Sequence, residues 1–166
     1  MYETIGASFA KRLQNEYALL TAIKDDGKIS TMTVSWGGFG ILWGKEVLFV
    51  FVRPERYTFD FCESAKKFTL SFFSKKMKDV LLFCGRNSGR DVDKIAHLGL
   101  KHYVKDGSVF FDDATLTLEV SKIYADDIDK NCFIDTSLLE NYKNGGFHKM
   151  YICSLESVIK NNIEEI

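Results

Sequence analysis

A single proline, Pro54, interrupts this chain of 166 residues, and no glycine- and serine-rich stretch divides it. With no linker to mark a boundary, 1–166 reads as one domain, large enough for a continuous apolar core. Net charge is also lacking, since 22 basic residues offset 23 acidic ones to leave -1. No long-range field exists to gather nucleic acid or an anionic membrane, so neither is expected as a partner. No run of about 18 apolar residues occurs, which predicts no membrane span. The N-terminal MYETIGASFAKRLQNEYALL is charged throughout and has no signal-peptide core. Cys62, Cys84, Cys132 and Cys153 form no CxxC pair, so reduced thiols in a cytoplasm are expected. His97, His102 and His148 have no metal-ligand spacing with cysteines or carboxylates, so no metal site is expected. DDIDKNCFID lacks the glycine and terminal glutamate of a calcium loop and reads as a solvated connection.

What is present is apolar and aromatic: 46% hydrophobic residues, and 14 phenylalanines within a 14% aromatic share. KFTLSFF sets Phe68, Leu70 and Phe72 against Thr69 and Ser71, and ATLTLEV alternates in the same way. Period two of this kind predicts half-buried antiparallel strands. Strands are expected near 16–24, 30–36, 46–52, 67–73, 108–111, 114–124 and 148–159, with a DDGK turn at Asp25–Lys28. Three helices are expected. PERYTFDFCESAKK opens on Pro54 in its first turn, KKMKDVLLFCG ends at Gly85 as C-cap, and DVDKIAHLGL is capped by Asp91. Strands dominate and helices do not alternate with them, which predicts a β-barrel or sandwich with attached helices.

Three stretches can carry chemistry. TMTVSWGGFGILWG, Thr31 to Gly44, holds four glycines and two tryptophans. It fails as a dinucleotide loop because Trp43 occupies the third glycine position and a strand follows where a helix is needed. It stands either as a hairpin connection with Trp36 and Trp43 packed inside, or as a surface that a flat ring approaches closely. In the second case Thr33, Ser35 and Trp36 meet the ring's polar edge; for Trp43, core packing is the expectation in both.

RPERYT, Arg53 to Thr58, lies at a strand-to-helix junction, where arginine forks and free N–H groups suit an anion. CGRNSGRDVDK, Cys84 to Lys94, offers Ser88, Gly89, Arg86, Arg90 and Lys94 to the same kind of ligand. RPERYT also reads as a solvated helix start whose arginines pair with Glu55 or Asp60, and CGRNSGRDVDK as a loop between two helices capped by Asp91; GRNSGRD lacks the spacing of a P-loop. Cys84 is expected to be buried and inert.

Together TMTVSWGG, RPERYT, FTLSFF, CGRNSGRDVDK and the closing HKMYICSLESV resemble, in order and over nearly the whole chain, the flavin reductase-like proteins that include flavoredoxin. That resemblance implies a mainly β fold, an FMN-binding split barrel of six antiparallel strands with peripheral helices. It implies a homodimer with FMN near the subunit interface. Met32, Thr33, Val34, Ser35 and Trp36 would line the isoalloxazine and ribityl side, with Ser71 and Phe72 beside the ring. Arg53, Arg56, Tyr57 and Thr58 would serve the ribityl chain and phosphate, and Ser88, Gly89, Arg90, Asp91 and Lys94 would complete the phosphate end. Many members carry asparagine before the MT pair where this chain has Thr31, and a hydroxyl replaces one of an amide's hydrogen bonds but not both.

The implied activity is an FMN-dependent oxidoreductase moving hydride or electrons from NAD(P)H or another donor. The chemistry is carried by the flavin, with no catalytic dyad of the protein. The alternatives are a flavin-binding or sensing module without turnover, and a β-barrel interaction protein without a cofactor.

Overall fold

The computed structural model describes residues 2–161, with side chains placed from Phe9 onward. A helix α1, Tyr2–Asn15, leads into strands β1 Ala18–Ile23, β2 Ile29–Val34, β3 Gly37–Leu42 and β4 Lys45–Val52. Helix α2, Tyr57–Ser64, and β5, Lys67–Phe73, precede α3, Lys78–Arg86, and the short α4, Lys94–Leu98. A small hairpin of β6, His102–Lys105, and β7, Ser108–Phe111, precedes the long β8, Ala114–Asp127, and β9, Lys149–Lys160.

Seven strands form one antiparallel sheet in the order β2-β1-β5-β8-β9-β4-β3, and β6-β7 stand apart as a pair. Met32 and Val34 at one end of that order share a core cluster with Leu48, Val50 and Val52 near the other. Apolar groups so far apart along a sheet meet only if the sheet rolls up on itself, as alternating strands with one buried face require. The strands at the two open ends, β2 and β3, are not paired to each other. The result is the mainly β split barrel that the resemblance implied, with seven strands in its sheet where six were expected.

The added strand, β3, comes from the glycine-rich stretch. Gly37 lies so close to β4 that a Cβ there would stand 2.7 Å from the carbonyl oxygen of Phe49. The β3–β4 hairpin turns on Trp43 and Gly44, with φ of 52° and 69°. Two positive values are what a two-residue turn between right-twisted strands needs, though glycine and asparagine adopt them more readily than tryptophan. Trp43 is therefore displayed at the hairpin tip, 62% exposed and edge-on to Tyr124, which corrects the expectation that it packs in the core.

The sequence predicts no element over 2–15, where the structure places α1 packed onto the barrel core. Its Phe9 and Leu13 are buried, and Phe9 meets Phe72 edge-on at 5.9 Å. Three helix boundaries also move. Helix α2 begins at Tyr57, so Pro54 sits in the preceding turn, closed by Arg56 N–H to the Arg53 carbonyl at 3.1 Å. Helix α3 runs through Gly85 to Arg86, because Asn87 N–H still reaches the Phe83 carbonyl at 3.0 Å. Asp93, not Asp91, caps α4, its carboxylate accepting from Ile95 and Ala96 N–H at 3.1 Å each. The helix ends where Gly99 takes φ of 62°.

Candidate functional site

The end of β2 and the segment after it, Met32 to Trp36, line a hollow of about 200 Å3 with Phe51, Arg53, Arg56 and His148. Arg56 also lines a second hollow of about 110 Å3, formed by Glu55 to Thr58 and the α3-end loop, Gly85 to Gly89, with Lys94. Neither reaches the ~300 Å3 at the lower end of small-molecule sites, but Arg56 joins them into one groove. Strand order places it. Residues 31–36 lead out of β2 at one edge of the rolled sheet, and residues 53–58 leave β4 beside the other edge.

The second hollow is cationic and dry at its floor. Lys94 is only 5% exposed, and its ammonium donates to the carbonyls of Thr31 and Cys84 at 2.8 Å each. Burial, opposed in part by Cys84, lowers its pKa to about 8. An ammonium carries three donors, so one remains for a ligand. The guanidinium of Arg56 donates to the Gly85 carbonyl at 2.9 Å, and burial lowers its pKa as well. Gly89 lies against Tyr57 so closely that a Cβ would overlap the ring. That contact requires glycine whatever its backbone angles, because no side chain fits between loop and ring. Gly85 is close to Thr33 to a lesser degree, with a Cβ placed 3.3 Å from Thr33 Cβ.

The first hollow has an aromatic wall and a neutral imidazole beside the two arginines, Arg53 and Arg56. Trp36, 48% exposed, leans on the His148 ring with centroids 4.9 Å apart. His148 Nδ1 is 2.9 Å from the Tyr142 hydroxyl. Burial first, and the nearby Arg53 second, lower the His148 pKa to about 4, so the ring is neutral near pH 7. Arg53 packs over Tyr142 and donates to the Asn141 carbonyl at 2.8 Å, which keeps it at this hollow and away from the second one. The hydroxyl of Thr33 donates to the Leu81 carbonyl, tying β2 to α3. Thr31 is spent on structure: its hydroxyl meets Thr21 at 2.9 Å and its carbonyl holds Lys94.

Most of the residues chosen from sequence line the groove: Met32 to Trp36, Arg53, Arg56, Tyr57, Thr58, Ser88, Gly89 and Lys94. Four stand elsewhere. Ser71 and Phe72 are wholly buried in the barrel, Ser71 bonded to Thr117 at 3.1 Å and Phe72 packed against Phe9. Period two along β5 puts their side chains on its two faces, and both faces are covered, by β-barrel core and by neighbouring chain. Arg90 is exposed beside the groove, stacked on Tyr57 and donating to the Glu55 carbonyl at 3.0 Å. Asp91 is exposed and lines neither hollow.

His148, Tyr142 and Gly85 were not anticipated as site residues. The one signal for His148 was its position at the head of the closing strand, which spacing rules for metals do not read. Cys62, Cys84 and Cys153 are buried free thiols and Cys132 is an exposed one. Burial raises the Cys84 pKa, so its thiol stays protonated. Among the described residues no group of three or more His, Cys, Asp or Glu could hold a metal, and no helix is long and apolar enough to cross a membrane.

The model of the flavin reductase like domain matches residues 10–158. The chain therefore belongs to the flavin reductase-like family, and so to the flavin-related oxidoreductases. Among solved structures it is similar to the flavoredoxin of Desulfovibrio vulgaris (Miyazaki F), with a TM-score of 0.69 at 19% identity, over 88% of this chain and 69% of that one. It is similar to an FMN-binding protein from Thermus thermophilus with bound p-hydroxybenzaldehyde, with a TM-score of 0.66 at 18% identity, over 89% and 73%. The styrene monooxygenase flavin reductase of Pseudomonas putida S12 gives 0.65 at 14% identity, over 89% and 80%. At these identities the likeness is one of fold. No curated protein sequence matches the chain.

Proposed function

We propose that the groove binds FMN and that the protein works as a flavin reductase or flavoredoxin-like electron carrier, drawing on NAD(P)H or another donor. The observation that supports this is the division of one groove at Arg56: an aromatic hollow with Trp36, Phe51 and Arg53 in its wall on one side, and a smaller one holding the buried Lys94 ammonium on the other. A flat apolar ring joined to a phosphate has that same division of chemistry. Arg56 and Lys94 supply charge-assisted hydrogen bonds to phosphate oxygens, and Ser88 with the loop at Gly89 adds neutral donors. Trp36 and Phe51 give the ring apolar contact. His148, held neutral and braced by Tyr142, presents a polar ring that adds no positive charge to those of Arg53 and Arg56.

Bound flavin supplies hydride and electron transfer. The protein's share is to position the ring, hold its phosphate and leave one side open to a donor. We place the protein in a cytoplasm, in keeping with its unpaired cysteines, and as a homodimer. Ile41 and Trp43 of the β3–β4 hairpin, with Tyr124 of β8, are exposed apolar groups that support a contact between copies.

The experiment is titration of the purified protein with FMN, followed by anaerobic NADH or NADPH. Binding with absorbance at about 450 nm, then bleaching by the nicotinamide, supports a reductase. Binding without bleaching leaves a carrier or a binding module. Failure to take up FMN rejects the reading.

A further inference from the structure

A separate hollow of about 600 Å3 lies where the last turns of α1 meet the chain between β5 and α3. It shares no lining residue with the groove. Its volume falls within the ~300–1,000 Å3 of small-molecule sites, which neither hollow of the groove reaches alone.

Charge in this hollow is one-sided. Lys11 and Arg12 reach it from α1, and Lys75 and Lys78 from the helical run that follows β5. Among the described residues of its wall Glu16 is the one carboxylate, and Arg12 already engages it at 3.6 Å. Among the described residues Lys11, Lys75 and Lys78 make no ion pair. In a chain of net charge -1, this is a local excess of positive charge that the fold leaves unneutralised. The wall is also apolar. Phe73 and Leu81, each only 2% exposed, form its floor, while Asn15 and Ser74 add neutral hydrogen-bonding groups.

Cations that converge over an apolar floor suit an anion carried on an apolar body. A bare inorganic ion would leave Phe73 and Leu81 uncovered. A neutral apolar molecule would strip water from the cations without pairing them. A planar carboxylate matches the guanidinium fork of Arg12, and ammonium groups can close on it as point charges. Phe73 favours a flat ring as the body, because contact between rings adds to the burial of area. We infer that this hollow is a ligand site distinct from the groove, and that it takes a small aromatic carboxylate. The carboxylate is held among Arg12, Lys75 and Lys78, and the ring lies on Phe73 and Leu81. The inference stands apart from the flavin reading, since the two sites have no residue in common.

The test is calorimetric titration with sodium 2-naphthoate, with and without saturating FMN. The expected result is saturable binding of one naphthoate per chain that persists when FMN is present. 2-Naphthamide, the same ring without the charge, should bind at least about tenfold more weakly. Two variants should each weaken naphthoate binding by at least about tenfold: Lys75→Glu with Lys78→Glu, which reverses the charge, and Asn15→Trp, which fills the space. Thermal melts show that each variant folds, and should one fail, the other decides together with the amide. Unchanged FMN affinity in the variants separates this site from the groove. Absence of saturable naphthoate binding, equal binding of the amide, or affinity that survives in the folded variants overturns the inference. So does displacement of naphthoate by FMN, which would place it in the groove. Inorganic phosphate or a glutamate-rich peptide binding as tightly as naphthoate would mean that charge alone is recognised, and also overturns it.

Discussion

The Tyr142 hydroxyl stands 2.9 Å from Nδ1 of His148, and both side chains are buried against Arg53 at the wall of the first hollow. The bond joins the short helical segment before β9 to the residue that immediately precedes that strand. A neutral imidazole is the form this site favours, because burial and the Arg53 charge both oppose a second proton. The consequence is a pH dependence with a definite sign. Between its ordinary value of 6.5 and about 4, the unfolded chain binds a proton at His148 that the folded chain does not. Stability therefore falls as pH drops through that window. Thermal melts of the protein and of His148→Gln should diverge there, the variant showing the shallower loss. Parallel curves would mean that His148 titrates normally.

Lys94 gives the opposite end of the scale. Its folded pKa of about 8 lies below the ordinary 10.5, so the unfolded chain holds the proton over that range and the free protein gains stability as pH rises through it. Ligand binding runs the other way. FMN affinity should weaken from about pH 7 to about pH 9 as the ammonium is lost, because the phosphate needs it. Riboflavin, which lacks the phosphate, should show no such slope, and Lys94→Met should flatten the FMN curve. A slope that persists in Lys94→Met would assign the titration to another group.

Arg56 lines both hollows, and its removal should be felt at the phosphate. Arg56→Ala is expected to weaken FMN binding by ~1.5–3 kcal/mol, the scale for losing a charge-assisted hydrogen bond. Calorimetric titration checks this, and unchanged affinity would remove Arg56 from the site.

Gly89→Ala forces a methyl group into the Tyr57 ring. The loop or the ring must shift, at a cost of ~1–3 kcal/mol in stability for an overpacked contact. FMN affinity should fall along with the melting temperature. Gly89→Ala combined with Tyr57→Ala, which removes the obstructing ring, should recover the stability lost to the clash if the overlap is its cause.

Ser71 separates the core from the groove. Its hydroxyl is buried against Thr117, so Ser71→Ala should destabilise the fold by ~1–3 kcal/mol through the unpaired partner. FMN affinity should stay within about twofold, the scatter of mutations with no shared contact. A tenfold loss of affinity would return Ser71 to the site.

Much of the molecule was legible before folding. The alternation of Phe68, Leu70 and Phe72 marked β5 because one buried face per strand leaves a period of two. The arginines of RPERYT and the loop CGRNSGRDVDK were readable as suited to an anion, and the structure brings Arg56, Ser88, Gly89 and Lys94 to one hollow. Helix ends were less legible. Asp91 and Asp93 are chemically identical caps two residues apart, and only the path of the chain decided that Asp93 faces Ile95 and Ala96 N–H.

Strand and loop types, the arginine-bearing loops and the absence of linkers follow from the sequence, because they depend on neighbours along the chain. TMTVSWGGFGILWG could be read as strand leading to strand in that way. That Gly37 passes within reach of Phe49 and that Trp43 is displayed follow from the register of the β3–β4 hairpin, while the enclosure of Ser71 depends on how the sheet rolls. So does the meeting of Lys94 with Thr31, of Arg56 with Gly85 and of Trp36 with His148. These residues are far apart in sequence, and only the rolling-up of the sheet, driven by burial of its inner face, brings them to a single groove.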